Sequence, residues 1–235
     1  MDHDLIDQAR RLAAARFPDA LAVVLGGSAA AGRATASSDL DLAVLVPDGG
    51  ESLRETVRFE GRLAELFVHT RAGLAEIFAA DVASRRAVMQ SIYADGLALH
   101  DPSGDGAAAR DRAAADLLAG PPALGADAVE AKRYGLTDLL LDLADRQDPD
   151  EALAIGAAAL GTATELLCDH HRAWVGGGKW LPRRLRAADP ELGGALLAGH
   201  RRLCASGEPD RLVAAAGQVL GLVGGPLAEG YRRTW

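Results

Sequence analysis

Lysine is almost missing from this chain: of 25 basic residues, only Lys132 and Lys179 are lysine. Basic residues of any kind are outnumbered, 25 against 33 acidic ones, for a formal charge of −8. The deficit is shared, with 12 basic and 18 acidic residues in 1–120 and 13 and 15 in 121–235. Neither half offers the clustered Lys and Arg that phosphate neutralisation along a polynucleotide needs, so no nucleic-acid partner is expected. The two cysteines, Cys168 and Cys204, lack metal-ligand spacing and suit a reducing compartment. Behind Met1-Asp2-His3-Asp4 there is neither a basic n-region nor an apolar h-region, so no secretory leader is expected and the cytoplasm is the expected location. The longest unbroken apolar stretch, Ala152 to Gly161, is too short to span a bilayer, and no membrane segment is expected. Internal repeats and low-complexity tails are also missing.

What is present is a globular composition, 49% hydrophobic and 25% charged, over a length that fits one large core or two modest ones. Leu5, Ala9, Leu12, Ala13 and Arg16 keep helical spacing, which predicts an amphipathic helix ending near Phe17-Pro18. Ala20 to Leu25 reads as a buried strand closed by Gly26-Gly27, and Asp39 to Val46 as a second strand ending at Pro47-Asp48-Gly49-Gly50. Further strands are expected at Glu55–Phe59 and Leu63–His69, joined as a hairpin around Gly61, with a short one at Leu97–His100. Helices are expected over Ala72–Phe78, Ser84–Tyr93 and Ala107–Leu118.

Gly120-Pro121-Pro122 cannot continue a helix and predicts a linker. Beyond it three apolar stripes recur at helical spacing: Leu136, Leu139, Leu140 and Leu143; Leu153, Ala157, Leu160 and Leu167; Leu192, Leu196, Leu197 and Leu203. A fourth helix is expected from Leu212 to Leu222. The pattern predicts an α+β class: a first domain over 1–120 with a small mixed sheet flanked by helices, then an all-α bundle over 121–235, with the cleft between them as the default site.

The segment with the most chemistry is Val24-Leu25-Gly26-Gly27-Ser28, ten residues, then Asp39-Leu40-Asp41-Leu42. A strand ending in Gly-Gly-Ser and passing into a helix exposes backbone N–H groups where no Cβ blocks a triphosphate, and the Ser28 hydroxyl adds a donor. Residues i and i+2 of a strand share a face, so Asp39 and Asp41 stand side by side roughly 7 Å apart. A bare Asp-x-Asp ordinarily ends an edge strand in water. At the head of the apolar run Ala43-Val44-Leu45-Val46, two acids are costly unless a cation meets them. Mg²⁺, which takes few protein carboxylates plus phosphate oxygens, is the expected metal on Asp39 and Asp41.

Gly27-Ser28-x10-Asp39-x-Asp41 resembles the signature of the DNA polymerase β-like nucleotidyltransferase superfamily. The resemblance implies a third acid on a neighbouring strand, and Glu65 in Ala64-Glu65-Leu66-Phe67-Val68 matches it, with Glu where many members have Asp. Metal ligand and general base are both open roles for Glu65. Glu60-Gly61 through Thr70, Gly120-Pro121-Pro122 and Gly178-Lys179-Trp180-Leu181 are similar to a two-domain bacterial group of aminoglycoside-type antibiotic nucleotidyltransferases. That likeness implies transfer of a nucleoside monophosphate, AMP from ATP, to a hydroxyl of a small-molecule acceptor, with pyrophosphate released and antibiotic resistance as the biological setting. It also implies a helical domain that closes the cleft, in a monomer or homodimer. Lys179, beside the loop Gly176-Gly177-Gly178, is the expected phosphate contact with Gly27 and Ser28. Two alternatives stay open: protein-directed nucleotidylylation, as in antitoxins with the same core, and a non-catalytic nucleotide-binding module. Lys132 reads as a core-edge lysine and Asp138, Asp142 and Asp145 as a solvated face. Arg33 stays outside the site, no metal is assigned to His170-His171, and Trp174 and Trp180 read as packing.

Overall fold

The computed structural model describes residues 3–234 and divides into two compact units, Met1–Gly120 and Pro121–Trp235. The first is a mixed sheet flanked by helices, and the second is helical.

In the first unit, α1 (His3–Arg16) leads into β1 (Ala22–Leu25), a single turn α2 (Gly27–Ala30), β2 (Leu40–Leu45), β3 (Leu53–Phe59) and β4 (Arg62–His69). Helices α3 (Arg71–Ala83) and α4 (Val88–Asp95), strand β5 (Leu97–His100) and α5 (Asp105–Ala119) complete it. The sheet order is β3-β4-β2-β1-β5, and β2 and β4 form its parallel pair. Period-2 alternation gives the sheet two buried faces. Val23, Leu25, Leu40, Leu42, Val44, Leu66 and Val68 pack beneath Leu5, Ala9 and Leu12 of α1. Ala22, Val24, Ala43 and Leu45 pack beneath Leu74 and Phe78 of α3, Ile92 and Tyr93 of α4, and Ala109 and Ala113 of α5.

The β3–β4 hairpin turns on two residues, Glu60 (φ 48°) and Gly61 (φ 84°), the left-handed pair that a tight hairpin needs. Glu60 sits there without glycine's freedom, and α1 holds it: Arg11 pairs with its carboxylate at 2.6 Å and Gln8 donates to the Phe59 carbonyl at 3.0 Å. This fixes the hairpin register, on which the placement of Glu65 depends.

Two expectations for this unit are corrected. The helix expected over Ser84–Tyr93 begins only at Val88, because Arg85 (φ 62°) and Ala87 (φ 50°) turn the chain and the Asp81 carboxylate accepts from the Met89 N–H at 2.6 Å. The preceding helix is longer than Ala72–Phe78, since Thr70 caps it by accepting from Gly73 N–H and it runs to Ala83.

The second unit contains α6 (Ala126–Asp145), α7 (Pro149–His170), a 3₁₀ turn (Gly178–Trp180), α8 (Leu181–Ala188), α9 (Pro190–Ser206) and α10 (Asp210–Leu222). Asp148 and Asp189 each accept from two N–H groups in the first turn of the helix behind them, and each precedes a proline at the first helical position. The core is aliphatic, with Leu136 and Leu143 of α6, Leu160 and Leu167 of α7, Leu185 of α8, Leu196 of α9 and Val219 of α10. The α7 stripe is corrected: Leu153 and Ala157 face outward, and the buried face runs through Gly156, Ala159, Leu160, Ala163 and Leu167. By length and composition α7 alone among the described helices could cross a bilayer, and half of its most apolar window is buried inside the unit, as in a core helix.

Candidate active site

The two strands carrying the acids are the parallel pair. Their register sets Asp41 of β2 directly opposite Glu65 of β4, while Asp39 occupies the last position before β2 begins at Leu40. The flanking Leu40, Leu42, Ala64 and Leu66 are fully buried on the α1 side, so Asp41 and Glu65 stand on the other face of the sheet. One carboxylate oxygen from each of Asp39, Asp41 and Glu65 lies within 4.8 Å of the others, and all three residues are half-buried. An all-oxygen donor set with this spacing fits a hard divalent cation such as Mg²⁺.

Gly27 shows how closely the turn approaches these acids. Its φ is +63°, and a Cβ built on it would fall 1.8 Å from Asp41 Oδ2. Glycine is therefore required twice over, by conformation and by space. The neighbouring Gly26 N–H donates to the Asp41 carbonyl at 2.8 Å, tying the turn to β2, and Ser28 comes next, half-buried in α2. On the approach to Asp39, Arg62 donates to the Ser38 carbonyl and Ser38 Oγ accepts from Thr35 N–H at 2.8 Å. Gly27, Asp39, Asp41 and Glu65 are thus brought together.

Arg54, on β3, was not singled out by the sequence pattern. Its Nη2 lies 3.0 Å from both carboxylate oxygens of Glu65, and its guanidinium carbon is 5.1 Å from the centre of the Phe67 ring. Two positions beyond Phe67 on the same face is His69, whose Nδ1 is buried without a hydrogen-bond partner and whose burial pushes its pKa below the usual imidazole value.

The remaining sequence candidates belong to the helical unit. Lys179 is exposed in the 3₁₀ turn, next to Trp180, over which Arg183 and Arg184 lie at 5.0 and 5.4 Å. Lys132 pairs with Glu165 of α7. Trp174 is buried, whereas Trp180 is 40% exposed and packs beneath the two arginines. The rings of His170 and His171 meet edge to face, and His171 Nε2 lies 3.4 Å from Asp189 Oδ2. Cys168 is buried and Cys204 exposed, both as thiols. A separate depression lined by Arg10, Ala13, Phe17, Val23 and Leu99 lies on the α1 side of the sheet, away from the acids.

Residues 6–79, which include Gly27, Ser28 and all three acids, match the nucleotidyltransferase domain family. The N-terminal unit contains a nucleotidyltransferase domain. Nucleotidyl transfer is the activity that such a domain carries, with a nucleoside triphosphate as the donor, and the chain is accordingly an enzyme of this type. Among solved structures it is similar to a nucleotidyltransferase-like protein from Exiguobacterium sibiricum 255-15, at 14% identity and a TM-score of 0.45, over 93% of this chain and 74% of that one. No curated protein matches the sequence.

Proposed function

We propose that the nucleotidyltransferase moves AMP from ATP to a hydroxyl of a small, aminoglycoside-like acceptor in the cytoplasm, where NTPs are plentiful, acting as a monomer or homodimer. The observation that carries the reading is the convergence of Asp39, Asp41 and Glu65 within 4.8 Å beside the bare backbone of Gly27. Asp39 and Asp41 would hold Mg²⁺, which when bound supplies charge stabilisation to the phosphates and to the attacking and leaving oxygens. Gly27 and Ser28 present N–H and hydroxyl donors to the triphosphate, and Lys179 adds a charge-assisted contact to it. The bond formed joins the acceptor oxygen to the α-phosphorus. The bond broken releases pyrophosphate, and the acceptor proton passes to Glu65 or to solvent.

An acceptor of net positive charge suits a chain of charge −8, because the acidic field concentrates cations near its surface. The test is mass spectrometry of a reaction containing four NTPs, Mg²⁺ and a panel of aminoglycosides and lincosamides. The expected result is a mass gain of one AMP on a panel compound. A gain on a protein instead would transfer the activity to a protein acceptor, and no gain with any NTP would overturn the reading.

A further inference from the structure

Glu65 lies on β4, one strand in from the β3 edge, and Asp41 on the central strand β2. Thr56 of β3 faces Glu65 directly across the antiparallel pair, and Arg54 faces Phe67, so Arg54 stands diagonal to Glu65 on the same face. A diagonal neighbour lies about 7–8 Å away, within reach of an arginine but not of a short side chain. The guanidinium crosses the Phe67 ring and ends with a single nitrogen, Nη2, 3.0 Å from each Glu65 oxygen. The arginine is 65% exposed at its side chain and the glutamate 24%, so the pair reaches from solvent into the site. Nothing in an ordinary surface ion pair calls for the partner carboxylate to lie within 4.8 Å of two further acids. Three carboxylates that close repel one another, and the positive charge beside one of them offsets part of that repulsion.

We propose that Arg54 is a positioning residue of the nucleotidyltransferase site. From the β3 side it holds the Glu65 carboxylate in one place when no metal is bound, and it competes with an incoming divalent cation for the same oxygens. The inference rests on the reading of the three acids as a metal site. Phe67 acts as the brace: its ring face carries the guanidinium, so the arginine keeps one orientation without a second carboxylate of its own. The arrangement lowers metal affinity in exchange for an ordered empty site, and so favours a cation that arrives together with triphosphate oxygens over one that binds alone.

The test uses the full chain and Mn²⁺ alone, read by electron paramagnetic resonance, with melting in EDTA as a second readout. Arg54→Ala is expected to bind Mn²⁺ about 3- to 10-fold more tightly than wild type, since one cation beside the site is gone and solvent screens part of its effect. It is also expected to melt at a lower temperature in EDTA, with the loss reversed by Mn²⁺. Arg54→Lys is expected to return the affinity toward wild type, and adding Glu65→Gln to Arg54→Ala is expected to abolish the tightening. Mn²⁺ affinity in Arg54→Ala equal to or weaker than wild type overturns the role of Arg54 while leaving the metal site intact. Failure of the metal reading looks different: wild type would bind no Mn²⁺, or Asp41→Asn would bind it as well as wild type, and Arg54 would then be a surface ion pair only.

Discussion

The two units use close approach for different ends. In the N-terminal unit the backbone of Gly27 lies against a carboxylate, and a Cβ there would strike Asp41 Oδ2. In the helical unit Gly199 of α9 lies against α10, where a Cβ would fall 2.6 Å from Leu212 N and 2.7 Å from Leu212 Cα. The first contact leaves polar groups open beside acids that are only half-buried, and the second draws two helices together over an aliphatic core. The first unit thus brings like charges together at this point, while the second buries an aliphatic core. A site is expected where local rules are broken, and here that point is the turn before α2 and the head of β2.

The sharpest way to break this contrast is to remove the cost. Asp39→Asn and Asp41→Asn are each expected to lower turnover by at least ~100-fold without unfolding the chain, because each removes a ligand from a strand end rather than a core contact. Single-turnover rates and melting curves measure the two effects, and near-normal turnover in either variant would remove that acid from the site. Gly27→Ala should approach the same loss by another route, since the methyl group and the left-handed φ together push Asp41 aside. Mn²⁺ binding checks it, and a normal affinity would mean that the turn does not set the position of Asp41.

The same contrast explains what the sequence could reveal. Asp39, Asp41 and the buried strands were legible because apolar alternation and two misplaced acids are local signals. Glu65 was legible only through its family likeness, and its exact partner, Asp41, needed the parallel register of β2 and β4. Arg54 was within reach: a two-residue turn at Glu60-Gly61 sets Arg54 opposite Phe67 by counting back along the hairpin. The stripe of α7 misled because a helix built largely of alanine offers several equally apolar faces, and only the neighbouring helices select one. The break before α4 carries no Gly or Pro, since Arg85 and Ala87 adopt positive φ without the usual marker. The pairing of Lys132 with Glu165 joins two helices and has no sequence signature.

In the helical unit the matching perturbation should act on stability alone. Gly199→Ala forces α9 and α10 apart and is expected to cost about 1–3 kcal/mol, read as a lower denaturation midpoint, with Mn²⁺ affinity unchanged. An equal loss of Mn²⁺ binding would mean that the helical packing reaches the acids. Lys179→Ala is a milder probe of the same unit. A charge-assisted phosphate contact contributes roughly 1.5–3 kcal/mol, so the KM for ATP should rise by about 10-fold or more with little change in acceptor KM. An unchanged nucleotide KM would return Lys179 to the surface.

The smallest effect tests whether the N-terminal unit bears a second polar cost beside the first. His69 ends β4 with a buried, unpartnered Nδ1, and desolvation holds its folded pKa below the ordinary value of 6.5. Proton binding sets the sign. As pH falls through the ordinary value, the unfolded chain takes up a proton that the folded chain resists, so stability is lost with acidification until the folded pKa is passed. Wild type should therefore have a lower urea midpoint at pH 5.5 than at pH 7.5. His69→Gln and His69→Phe, which cannot take up that proton, should show a smaller difference between the two pH values than wild type. Asp and Glu residues titrate in all three proteins, so the comparison between them isolates the imidazole. His69 lies four residues from Glu65 on the same face of β4, yet the two differ in kind. Glu65 has a cation at 3.0 Å, whereas His69 gains nothing from its burial that the hydrogen bonds account for. If both variants lose as much stability on acidification as wild type does, the unpartnered nitrogen carries no cost.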